Sequence, residues 1–164
     1  SVRPWSAFGG PAAGGGMKRR APRSVPRWKT PQVLQFNEQG LVPAVIQDAQ
    51  SGGVLTLCYL NQEALERSLA TGLVHVFRRS QGRLMLKGEK SGHIQRIQQV
   101  LVDCEGKSLV LRVRQHVAAC HAGYRSCYYR RLTSRGALKV VGRHVFDPSR
   151  VYASAAGPAA SPAA

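Results

Sequence analysis

The sequence predicts an α+β domain, rich in strands, with one main helix and extended tails. Three observations point to it. Apolar residues recur with a period of two in paired segments joined by short turns. One stretch, residues 61–70, carries a helical period instead. The composition breaks near residues 31 and 150, which separates a basic Gly/Pro-rich extension (1–31), a patterned domain (32–150) and an Ala/Pro-rich tail (151–164).

Residues 41–49 and 54–60 read as a hairpin around Ser51-Gly52-Gly53. Asn61 is placed to cap a helix running through Ala70, with Glu63 and Arg67 as an i,i+4 pair and Leu65 and Leu69 facing inward. Thr71-Gly72 ends it. Residues 74–79 and 83–87 form a second strand pair. Residues 94–104 and 108–116 form a third, joined by Glu105-Gly106-Lys107. In the last strand Leu109, Leu111 and Val113 alternate with Val110, Arg112 and Arg114, the pattern of a strand with one solvated face.

The flanks read differently. Residues 1–31 hold five glycines and five prolines, show no hydrophobic period and are not expected to fold alone. Trp5, Phe8 and Trp28 are interleaved with arginines there, which suits base stacking and phosphate contact on RNA. A plain linker with incidental aromatics fits the same pattern. The segment is Arg-rich with no acid before Glu38, a composition compatible with a trimmed organellar precursor. The expected location is therefore an organelle, a mitochondrion rather than a plastid, with the cytoplasm as the alternative.

Hydrophobic residues make up 43% of the 164, enough for a normal core. No apolar run reaches the roughly 18 residues of a membrane span, so no membrane partner is expected. Lys and Arg number 24 against 8 Asp and Glu, a net charge of +16. Seven of those cations lie in residues 1–31, so the remainder is still strongly basic. An excess of this size favours a polyanionic partner such as nucleic acid. Arg19, Arg20, Arg23, Arg27 and Trp28 in the extension, with Arg78, Arg130 and Arg131 in the domain, are the candidate RNA contacts.

Four cysteines occur: Cys58, Cys104, Cys120 and Cys127. Three thiolates converging on one ion suit zinc and leave a fourth position for water. By spacing alone, Cys104, Cys120 and Cys127 fit a metal site and three small buried hydrophobes equally well.

The flanking residues add to this. Leu41-Val42-Pro43-Ala44-Val45-Ile46-Gln47-Asp48-Ala49, Gly88-Glu89-Lys90-Ser91-Gly92-His93-Ile94-Gln95, Val102-Asp103-Cys104-Glu105-Gly106 and Ala119-Cys120-His121-Ala122-Gly123-Tyr124-Arg125-Ser126-Cys127-Tyr128 occur in order. Together they resemble the phosphoribosyl-AMP cyclohydrolase family of histidine biosynthesis, over about residues 40–130. The resemblance implies a homodimer whose zinc sites combine Cys104, Cys120 and Cys127 from both subunits. It implies an active-site role for His121, and opening of the purine ring of phosphoribosyl-AMP by a zinc-bound hydroxide. Cys58 matches no ligand and is expected in the core.

The departures bear on function. The family's Asp-Cys-Asp-x-Asp, which holds magnesium, is Asp103-Cys104-Glu105-Gly106-Lys107 here. Magnesium needs closely placed oxygen ligands, and Lys107 subtracts one and adds repulsion, so Asp103 and Glu105 form at most a degraded magnesium site. Lys90, Arg78, Met85 and Ala122 replace a threonine, a small hydroxyl residue, an aromatic and a threonine. The expectation is a catalytically impaired cyclohydrolase fold. It would serve as a basic structural, RNA-binding subunit of a ribonucleoprotein such as an organellar ribosome, with RNA and neighbouring proteins as partners. The alternative is an active cyclohydrolase. A structural zinc dimer with another partner is a third reading.

Overall fold

The computed structural model describes residues 28–153. Its centre is a four-stranded sheet ordered β2-β1-β6-β5, with β1 at Val42–Asp48, β2 at Val54–Leu60, β5 at Gln95–Val102 and β6 at Leu109–Gln115. The β1–β2 and β5–β6 hairpins are antiparallel, as their short connections require. The two hairpins join through a parallel β1–β6 pair, with Ala44 opposite Leu109 and Asp48 opposite Val113. Helix α1 (Gln62–Thr71) and the small β3–β4 pair (His75–Arg78 and Arg83–Leu86) form the connection between β2 and β5. The α+β expectation holds.

The alternation in the sequence becomes the core. Leu109, Leu111 and Val113 of β6 are buried, as are Val42, Ala44 and Ile46 of β1 and Leu65 and Leu69 of α1. Asn61 accepts a hydrogen bond from the Ala64 N–H at 2.9 Å and so satisfies one unpaired donor of the first turn. Glu63 and Arg67 pair at 2.7 Å on the exposed face. The helix stops at Gly72, whose φ of 70° places it in the left-handed region. Buried Ser68 donates to Ala64 O at 2.7 Å and accepts from His75 N–H at 2.8 Å, which locks α1 onto β3.

Three elements have no counterpart in the sequence reading. A small hairpin pairs β7 (Arg130–Leu132) with β8 (Leu138–Val140), and a five-residue helix α2 spans Pro148–Tyr152. All six strand residues of the hairpin are exposed, so no alternation marks it in the sequence. Trp28 is also placed differently from expectation. It is half-buried and packs against the core together with Leu34 and Phe36, so its ring is engaged in folding rather than presented to RNA. Arg19, Arg20, Arg23 and Arg27 lie outside the described residues. Among the described residues no helix is long and apolar enough to cross a membrane.

Candidate active site

The site is built on the loop that follows β6. Two polar anchors hold this loop. Gln95 and Gln115 occupy inward positions of β5 and β6 and are buried. Gln95 Nε2 donates to Gln115 Oε1 at 2.7 Å. The Gln115 amide nitrogen in turn lies 3.1 Å from His93 O, 3.0 Å from His116 O and 3.1 Å from Ala118 O, so one side chain ties the 88–94 loop to the approach to Cys120. The second anchor is Arg125. Its guanidinium donates to Val117 O at 3.1 Å and to the buried Asp48 carboxylate, also at 3.1 Å. Between the anchors Val117 has φ 56°, an outlying conformation for a β-branched residue. Surrounding contacts must over-determine such a conformation for it to persist.

This loop brings Cys120 and Cys127 together. Ala119 N–H donates to Arg125 O at 2.9 Å, and Cys127 N–H donates to Leu55 O at 2.8 Å, so the loop closes on the start of β2. Both thiols border one cavity of about 270 Å³. Burial pushes the Cys127 thiol up from its ordinary value, Thr56 opposes this through a hydrogen bond, and the adjacent Cys120 adds to the rise. Paired soft sulfur donors at a cavity wall fit a thiophilic metal ion.

Cys104 is not with them. It is exposed, in the β5–β6 turn at the opposite end of the sheet. The seven residues of β6 alone span about 20 Å between the two ends. Among the described residues of one chain, no three His, Cys, Asp or Glu side chains are grouped to hold a metal. Cys58 is partly buried against the core, its thiol donates to Ala44 O at 3.6 Å, and burial raises its pKa to about 12.

The acids beside Cys104 are also engaged. Asp103 accepts from the Lys107 N–H at 2.7 Å and the Ser108 N–H at 3.1 Å, so it caps its own turn. Desolvation raises its pKa, but the hydrogen bonds together outweigh it and hold the carboxyl below its usual value. Glu105 pairs with the Lys107 ammonium at 3.4 Å. One carboxylate serving the backbone and one neutralised by a cation do not make an oxygen-rich octahedral site, and magnesium does not fit here.

The cavity beside Cys120 and Cys127 is electropositive. Arg78, Arg83, Lys87 and Lys90 line it against the single acid Glu89. His121 lies at its edge and is exposed. His93 lines another wall, with burial first and nearby His116 second holding its pKa below the usual value, which favours a neutral imidazole. Of the candidate RNA contacts, Arg78 therefore belongs to this cavity. Arg130 and Arg131 sit on the exposed β7 strand, with the Arg130 guanidinium 5.3 Å from the Tyr129 ring centre. The sequence reading missed His93, Arg83 and Lys87 in the cavity and Gln95, Gln115 and Asp48 behind it. Polar residues on the inward beat of alternating strands were the available signal for the two glutamines.

A family model described as phosphoribosyl-AMP cyclohydrolase matches residues 56–129. The chain is 50% identical over 119 residues to a phosphoribosyl-AMP cyclohydrolase of Pelotomaculum thermopropionicum, covering 73% of this chain and 92% of that protein. It is 50% identical to the one of Methanothermobacter thermautotrophicus, covering 71% and 86%. It is 44% identical to the one of Methanococcoides burtonii, covering 73% and 95%. These matches overturn the expectation of an impaired fold acting as an RNA-binding subunit of a ribonucleoprotein. The relatives carry the name of an enzyme over nearly their whole length, and the cavity they point to keeps both thiols and His121. Net charge summed over the chain does not show where the cations sit. At the cavity, four of the domain's cations, Arg78, Arg83, Lys87 and Lys90, face one concave site.

Proposed function

The chain belongs to the phosphoribosyl-AMP cyclohydrolase family, and from that premise we propose that it is an active member, which opens the purine ring of phosphoribosyl-AMP by hydrolysis in histidine biosynthesis. The observation that carries this reading is the convergence of Cys120, Cys127, His121 and four cations on one cavity. Cys120 and Cys127 of one subunit would hold zinc together with Cys104 of a second copy, because one chain keeps Cys104 about a strand's length away. Zinc bound by these cysteines would supply Lewis acidity for the activation of water.

The chain's own residues do the rest. The cations Arg78, Arg83, Lys87 and Lys90 attract and orient the substrate's phosphates, with the planar guanidinium groups suited to paired contacts. His121, next in sequence to a ligand and facing the cavity, is placed to take a proton from the attacking water and return one to the ring nitrogen that leaves. His93, held neutral, offers a hydrogen bond without a competing charge.

The test is turnover of phosphoribosyl-AMP by the zinc-loaded protein, followed by subunit complementation. Cys104→Ser and Cys120→Ser homodimers are expected to be inactive. Subunits mixed and re-associated at equal amounts should recover about a quarter of wild-type activity, since half the dimers then hold one intact site of two. No turnover by the wild type rejects the enzyme reading, and no recovery on mixing rejects the shared site.

A further inference from the structure

We propose that Tyr152 forms the aromatic wall of the substrate cavity and sets its affinity for the purine base, an inference that rests on the cyclohydrolase reading above. Tyr152 lies on α2, beyond the residues matched by the family model, yet it lines the same cavity as Cys120, Cys127 and His121. Among the described residues that line the cavity it carries the only carbocyclic aromatic ring. The remaining walls are mainly charged or polar, with Met85, Ala118 and Ala119 as small apolar interruptions. Cations serve phosphates, but a purine ring needs a flat apolar face to replace the water it loses, and stacking on an aromatic side chain supplies one.

The segment that delivers Tyr152 is clamped to the cysteine loop. Val145 N–H donates to Gly123 O at 2.8 Å. Gly123 has φ 90°, and a Cβ there would stand 2.7 Å from Phe146 O and 3.1 Å from Pro148 Cγ, so only glycine permits this approach. Tyr124 stacks on Tyr129 at 3.7 Å and meets His144 at 4.3 Å. Phe146 and His93 meet in a T-shaped pair at 4.7 Å, and Phe146 lies 6.4 Å from Tyr152. Pro148 at the start of α2 and Asp147 as its cap, accepting from Ser149 N–H at 3.0 Å, fix the direction of the short helix. The loop holding Cys120 and the helix holding Tyr152 thus form one packed unit, which places the ring at a fixed distance from the reacting centre.

Steady-state kinetics on phosphoribosyl-AMP, zinc content and calorimetric binding of adenosine monophosphate test this on the full-length zinc protein. Tyr152→Ala should raise KM about tenfold and weaken adenosine monophosphate similarly, the scale of a base–aromatic contact, with zinc per subunit and kcat nearly unchanged. Tyr152→Phe should keep wild-type values, and Tyr152→Leu should fall between the two. Wild-type KM in Tyr152→Ala overturns the proposal. So does a Tyr152→Ala protein that loses zinc and thermal stability along with KM while Tyr152→Leu behaves as wild type, because the ring then only props the fold. If the wild-type protein does not turn over phosphoribosyl-AMP, the cyclohydrolase reading fails. Adenosine monophosphate binding then still decides the role of Tyr152, and equal binding by wild type and Tyr152→Ala overturns it.

Discussion

Replacing Gln115 with Leu should cost about 2–6 kcal/mol, and adding Gln95→Leu to it should restore part of that loss. Gln115 accepts from Gln95 Nε2 at 2.7 Å and donates toward the carbonyls of His93, His116 and Ala118. Gln95 is fully buried, and its Oε1 has no partner among the described residues. Gln115→Leu therefore strands a whole buried amide, at about 1–3 kcal/mol, and removes the donor from the Ala118 carbonyl of a residue only 3% exposed, at a similar cost. The His93 and His116 carbonyls belong to less buried residues, where water substitutes. In Gln95→Leu/Gln115→Leu the stranded amide is gone and only the Ala118 loss remains, so the double variant should be about 1–3 kcal/mol more stable than Gln115→Leu alone. Urea unfolding monitored by circular dichroism measures all three variants. Zinc competition gives an independent readout. Affinity should fall equally in Gln115→Leu and the double variant, because both lose the tether two residues before Cys120. Strictly additive destabilisation, with the double variant the least stable, refutes the network.

The Asp48–Arg125 pair predicts an acid-side loss of stability. Burial raises the Asp48 pKa, but Ser51 and Arg125 outweigh it and hold the carboxyl below 3.8, so its contribution is present above that pH and fades as pH falls through the folded value. Asp48→Asn should cost about 1–3 kcal/mol at pH 7, less than a fully buried pair because Arg125 is 43% exposed, and should flatten the melting-temperature slope between pH 5 and 3. An unchanged acid slope would show that other carboxylates carry it. At the β5–β6 turn, Glu105→Asp with Lys107→Asp removes the 3.4 Å ion pair and adds carboxylate. Magnesium titration calorimetry should then detect binding at least tenfold tighter than in the wild type, about 1.4 kcal/mol. Equal affinities mean that Asp103, bound to its own turn, is the limiting group.

The residues that were legible share a property: their role is local. The hairpin turn at Ser51-Gly52-Gly53, the Asn61 cap and the Leu109-Leu111-Val113 alternation each act within a few residues, and each stands where the pattern put it. What was not legible depends on distance in the chain. The parallel β1–β6 pair joins segments some 65 residues apart, and no pattern within a few residues announces it. Nothing in the spacing of Cys104, Cys120 and Cys127 shows that β6 holds the first away from the other two. Likewise the β7–β8 hairpin and α2 lack a buried stripe, so periodicity had nothing to detect. Their packing rests on Tyr124, Tyr129, His144 and Phe146, aromatic contacts made around Gly123.

The same distance separates the altered acid motif from the cavity within one chain. Asp103, Glu105 and Lys107 belong to the turn at one end of β6, and Cys120, His121 and the cationic lining belong to the other. Substitutions at the turn leave the cavity within the same subunit untouched and bear on the reaction only where a second copy brings its turn to that cavity. In the shared-site dimer proposed above, the charge at Lys107 would act across the interface, beside the Cys104 that this copy would contribute, whereas Arg78 and Lys90 line the cavity of their own subunit. The two sets therefore separate in a mixed dimer. A Lys107→Asp subunit paired with a Cys104→Ser subunit has one competent site, at the cavity of the Cys104→Ser chain, and only that site feels the substitution. Any change in its metal dependence measures the turn's influence on a cavity whose own residues are all wild type.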